Sequence, residues 1–178
     1  MRDIRVKRIA FAAICAAFAA VFLALTGVLP AARLAFLAAA GLFPFLADLV
    51  LGRRYSIPAL LAGGILGWLF GAGNAGGLAY MILFGSYPIY RNFLVGKLSG
   101  KKALILALKL LWFNVAYGIL LVTARSLFLS DSAGVFTPLN VFLFLVGGNA
   151  VFLLYDLLLG QATGWIFSRF DRWFRSLF

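Results

Sequence analysis

Apolar residues run through this 178-residue chain in blocks, and polar residues gather in short clusters between them. An apolar block of about 20 residues is long enough to cross a bilayer as a helix. Six such spans are predicted, at residues 9–29, 31–51, 58–71, 76–94, 103–122 and 138–166. Pro44 predicts a kink in the second. Ser56 is the expected N-cap of the third. Glycines crowd the third and fourth, and Gly85 and Pro88 interrupt the fourth. Thr137-Pro138 predicts the start of the sixth, a capping residue followed by proline at the first helical position. The expected architecture is one all-α integral membrane domain, a bundle of six transmembrane helices.

Charge tests that count. Place the N-terminus in the cytoplasm and let each span cross once. Fourteen of the sixteen Lys and Arg then lie inside, and only Arg33 and Arg125 lie outside. Such a bias is the positive-inside pattern, and it puts both termini in the cytoplasm. Dropping the fourth span would send the last two basic clusters outside. Trp165, Phe170, Trp173 and Phe174 mix with the C-terminal arginines as an interfacial anchor does. The first 30 residues mimic a signal peptide, but the run from Ile9 to Leu29 exceeds a usual h-region and reads as a retained helix.

Composition agrees with this picture. Hydrophobic residues make up 65% of the chain and the mean hydropathy is +1.06. The net charge of +11 would suggest nucleic acid in a soluble protein. Here topology accounts for it, and no nucleic-acid partner is expected. With no His and one Cys, Cys15, the chain offers neither an intramolecular disulfide nor a zinc site of the His/Cys kind.

Small residues mark the first span. Advanced about 100° per residue, Ala12, Ala13, Ala16, Ala17, Ala20 and Ala24 share one face. Small residues four apart let helix backbones approach closely. The face either packs inside the bundle or docks on a partner. Gly63, Gly67 and Gly71 form a rival stripe on the third span.

Polar residues within the membrane are costly and mark sites. Asn114, Tyr117 and Arg125 share a face of the fifth span. On this topology Arg33, Asn74 and Tyr80 lie toward the outer side, and Asn149 lies near the middle of the sixth. Together they could line an outward pocket for an anionic group. Equally, the asparagines could bond neighbouring helices and the arginines touch lipid headgroups. Asp48 and Asp156 raise the aspartyl protease dyad. "YD" at Tyr155-Asp156 matches half of the presenilin-type signature, but the Gly-x-Gly-Asp half is absent. Both aspartates are instead expected to pair with Arg53, Arg54 or Lys109. No catalytic constellation, phosphate loop or metal cluster appears, so no enzyme and no cofactor is expected.

Six helices, cytoplasmic termini and an Ala-x-x-x-Ala motif resemble the S components of energy-coupling factor (ECF) transporters. The motif maps to Ala12 and Ala16, Ala13 and Ala17, or Ala16 and Ala20. "RLAFLAAAGLFPFLADLVLG" from Arg33 has the look of their second helix. "LFGSYPIYR" and "KLLWFN" are similar to segments of small bacterial membrane proteins regarded as S-component-like. The resemblance implies a multi-pass protein of the bacterial cell membrane that captures a vitamin or precursor on the outer side. It would dock through its alanines on a transmembrane coupling subunit with partner ATPases. The rod-shape scaffold MreD has a similar fold, so a non-transporting assembly role is the alternative.

Overall fold

In the computed structural model every element is helical among the described residues, which are 2–70, 76–98, 100–128 and 138–177. Helix α1 spans Arg2–Val28 and leads through a 3₁₀ turn, Pro30–Ala32, into α2, Arg33–Leu51. Helix α3 is Arg53–Phe70. A short α4, Gly76–Ala79, runs into a π-helical segment, Tyr80–Phe84, and then α5, Ser86–Lys97. Helices α6, Lys102–Phe128, and α7, Pro138–Leu177, complete the chain. Proline opens α7 as expected, while Thr137 lies outside the described residues.

Four stretches are long and apolar enough to cross a membrane: Ile4–Val28, Arg33–Leu51, Lys102–Thr123 and Leu145–Ile166. The expected third and fourth spans are not among them. Two arginines open α3, and the fourth span is divided by its π segment. Large apolar side chains are exposed along α6 and α7, for example Leu111, Ile119, Leu154 and Leu158. Apolar surface on that scale is a lipid-facing surface.

Helices α1, α2 and α3 pack through small residues. Ala12, Cys15, Ala16, Ala19, Ala20 and Leu23 of α1 are buried, following i, i+3, i+4 spacing. Ala40 and Ala47 of α2 face them, and Gly63 and Gly67 belong to α3. A Cβ on Gly63 would lie 3.0 Å from the Ala19 Cβ and 3.2 Å from the Ala16 carbonyl oxygen. The alanine and glycine stripes therefore meet each other rather than serving separate surfaces. This corrects the sequence-derived face: Ala12, Ala16 and Ala20 are internal, whereas Ala13 and Ala17 are exposed. Gly71 lies outside the described residues.

Ser56 is not an N-cap. Helix α3 begins three residues earlier, and the Ser56 hydroxyl sits inside its first turns, donating to Asp48 Oδ1 at 3.0 Å. The turn before it falls on Gly52, whose φ of 83° suits a residue without Cβ. Pro44 stays inside α2 and is buried.

Candidate functional site

The π segment organises the interior. Gly85 N–H donates to the Tyr80 carbonyl at 2.7 Å, closing the wider turn. Pro88 has no N–H to offer the Phe84 carbonyl four residues back. Tyr155 of α7 takes that role, its hydroxyl donating to Phe84 O at 3.0 Å. Gly41 of α2 presses on the same carbonyl; a Cβ there would be 2.3 Å from it. Thus a proline, a glycine and a tyrosine from three segments fix one carbonyl group.

Beside this junction lies a cavity of about 290 Å³. Leu34 and Leu37 of α2 form one wall, and Ala79, Leu83, Phe84 and Tyr87 another. Trp112, Phe113, Tyr117 and Leu120 of α6 face Gly148, Val151, Phe152 and Tyr155 of α7. The rings are ordered against one another. Phe113 stacks on Phe152 at 4.5 Å and on Tyr117 at 5.6 Å, and Tyr87 meets Phe152 edge-on at 4.7 Å. Offset and edge-to-face pairs of this kind are favourable beyond their buried area.

At one end of the cavity Tyr87 links to a largely buried charge cluster. Its hydroxyl donates to Asp156 Oδ1 at 2.6 Å. Arg91 Nε donates to the same oxygen at 2.8 Å, and Lys109 Nζ reaches Oδ2 at 2.7 Å. The Arg91, Asp156 and Lys109 side chains are only 14%, 16% and 9% exposed. Two cations and one anion leave the cluster with a net positive charge. The expected Asp156–Lys109 pair forms, with Arg91 and Tyr87 joining it. Asp48 departs from expectation. It forms no ion pair among the described residues and accepts from Ser56 and from Asn92 Nδ2 at 2.9 Å. Arg53 instead lies over the Phe93 ring at 4.1 Å.

The predicted pocket residues are distributed differently. Asn114 and Asn149 bind each other reciprocally, at 3.2 and 3.1 Å. Their other N–H groups go to the carbonyls of Leu110 and Leu145, so both amides are satisfied. Arg33 is exposed and points its Nε at the Thr26 carbonyl, 3.5 Å away at the end of α1. A cation at that end complements the helix dipole. Tyr80 is fully buried against α1–α3 and does not line the cavity, and its hydroxyl has no hydrogen-bond partner among the described residues. Among these residues Tyr117 lines the cavity. Asn74 and the Arg125 side chain lie outside the described residues. The residues missed in the sequence were the other aromatic ones of the lining, and Tyr87 with Arg91. Their signal was the i, i+4 spacing within "SYPIYR" and an Arg and a Lys set inside apolar runs.

A second concavity, open and about 500 Å³, runs between α1 and α3. Ala12, Ala13, Ala16, Ala59 and Ala62 form its floor and sides, with Arg5 and Arg54 toward one end.

Comparison with protein-family models, with characterised proteins and with solved structures gives no match.

Proposed function

We propose that this protein is a small-molecule-binding subunit of the bacterial cell membrane, of the S-component kind. The aromatic cavity between α2, the π segment, α6 and α7 carries this reading. Concave, mostly apolar spaces of this sort are where small ligands bind. The chain crosses the membrane six times with both termini in the cytoplasm. Support comes from the helical stretch Gly76–Lys97, whose 22 residues would extend about 33 Å. On that topology the cavity belongs to the outer half of the membrane. The protein supplies recognition and no chemistry of its own. A coupling subunit with partner ATPases drives uptake, docking in the α1–α3 groove beside the exposed Ala13 and Ala17.

A scaffold role of the MreD kind is favoured by one observation. The Asn114–Asn149 pair is satisfied within the bundle and leaves neither amide for a solute. Gentle purification from native membranes followed by native mass spectrometry separates the two. A co-purifying small molecule with ATPases and a coupling subunit is expected. A complex with a different membrane protein, and no bound molecule, overturns the binding reading.

A further inference from the structure

Resting on the binding reading, we propose that the cavity takes a neutral, ring-bearing molecule from the bilayer, with one hydrogen-bonding substituent met by Tyr117. Three observations converge. First, among the described residues no charged side chain lines the cavity. The nearest charges are screened behind Tyr87, whose one O–H is already given to Asp156. A charged ligand would lose its hydration with nothing in exchange.

Second, rings make up half of the lining, and the Phe152–Phe113–Tyr117 stack continues along the wall as near-parallel planes, at 20° and 13°. Flat molecules match such walls better than a branched aliphatic one. A volume of about 290 Å³ sits at the lower end of the roughly 300–1,000 Å³ usual for ligand sites, which suits one compact molecule.

Third, the rim is apolar and outward-facing. Leu34 is 62% and Val151 50% exposed, both on stretches apolar enough to cross the membrane. Side chains so placed meet lipid, so the route in is lateral. The Tyr117 hydroxyl makes no hydrogen bond among the described residues, and its ring lies 3.9 Å from where a Cβ on Gly148 would stand. It is an unpartnered polar tip in the lining, as is the buried Trp112 Nε1–H, for a ligand that otherwise touches mostly carbon.

Trp112 in the cavity wall provides the readout. With Trp68→Phe, Trp165→Phe and Trp173→Phe it becomes the sole tryptophan. The protein in lipid nanodiscs is titrated with 6-bromo-2-naphthol, with 2-bromonaphthalene, with a bromonaphthalene sulfonate, and with phospholipid brominated on its acyl chain. Saturable quenching by the naphthol is expected, weakened at least tenfold by Gly148→Leu. Tyr117→Phe should weaken the naphthol several-fold and leave bromonaphthalene unchanged. If Gly148→Leu fails to fold, Val151→Trp, read by displacement of a radiolabelled naphthol, blocks the exposed rim instead. Equal or tighter binding of the sulfonate overturns the neutral class while the binding reading stands. Quenching by brominated acyl chains alone, or none that saturates, overturns both.

Discussion

Replacing Asp156 by Asn should destabilise the protein more than any single change to its cationic partners. The asymmetry follows from counting charges. Asp156 Oδ1 accepts from Tyr87, Arg91 and Lys109, and Oδ2 accepts from Lys109. All three ionic side chains are at most 16% exposed. Removing the carboxylate strands two cations beside each other with no anion. Breaking a buried pair in this way costs about 3–5 kcal/mol. Removing Lys109 has a different outcome. Lys109→Met leaves Arg91 and Asp156 as a neutral one-to-one pair. The lost charge-assisted bonds are worth about 1.5–3 kcal/mol, and the relief of a buried ammonium offsets part of that. A net cost near 1–2 kcal/mol is expected for Lys109→Met. Adding Lys109→Met to Asp156→Asn should then recover stability, because it removes one stranded cation. The assay is reversible unfolding by sodium dodecyl sulfate in mixed micelles, followed by helical circular dichroism. At about 1.4 kcal/mol per tenfold, the two single variants should differ by about one to three decades in equilibrium constant. Equal losses for Asp156→Asn and Lys109→Met, or no recovery in the double variant, would refute the charge count.

Other changes test the remaining junctions. Gly41→Ala forces a methyl into the Phe84 carbonyl and the Tyr155 hydroxyl. About 2–4 kcal/mol should be lost, combining overpacking with the Tyr155–Phe84 bond, and thermal unfolding in detergent reads it. Asn114→Leu strands Asn149 and should cost about 1–2 kcal/mol, whereas Asn114→Leu with Asn149→Leu should cost less than that single change; the same unfolding series shows it. Ala16→Leu overfills the α1–α3 interface and should cost about 1–3 kcal/mol. Ala13→Leu, on the exposed side, should leave stability within about 0.5 kcal/mol yet abolish co-purification of any partner seated in the groove.

How far the sequence revealed this differs from one part to the next. Long apolar runs declared α1, α2, α6 and α7, because composition alone decides whether a helix suits lipid. Proline at the first position placed the start of α7. The beginning of α3 was misplaced because Ser56 has a second use: its hydroxyl meets Asp48 from an earlier helix, a contact no local rule contains. The alanine face was rotated for a similar reason. Counting alanines alone omitted Cys15 and Leu23, which share the buried stripe, and included Ala13 and Ala17, which do not. Asn114 and Asn149 were seen as polar residues at matching depth, but only the packing of α6 on α7 shows that they complete each other. An outward pocket with Tyr117 was expected, but the aromatic lining of the cavity was not legible in the chain. An empty space depends on where rings fail to fill, and aromatic residues in an apolar run look the same whether they face lipid or a neighbour.

Two packing regimes explain why the cavity lies where it does. In α1–α3 the interface residues are Ala and Gly, so the backbones approach until a methyl on Gly63 would touch Ala19. Along that stretch nothing is left to occupy, and the open α1–α3 groove lies toward the Arg5 and Arg54 end. Around α6 and α7 the interface residues are Phe, Tyr and Trp, which hold helices apart by the width of a ring. Rings cannot tile a helix interface as densely as methyl groups, and the mismatch remains as volume. The π segment stands between the regimes. Its Tyr80 is buried among the small residues, while Leu83 and Phe84 face the cavity. The extra residue of a π turn rotates the side chains that follow it, and this lets one short stretch serve both sides. The Phe84 carbonyl is then held by Tyr155 of the aromatic side and pressed by Gly41 of α2. A molecule entering the cavity would therefore act first on α6 and α7, whose contacts are rings able to shift. The Ala and Gly contacts of α1–α3 have no slack to transmit a small movement except through that carbonyl.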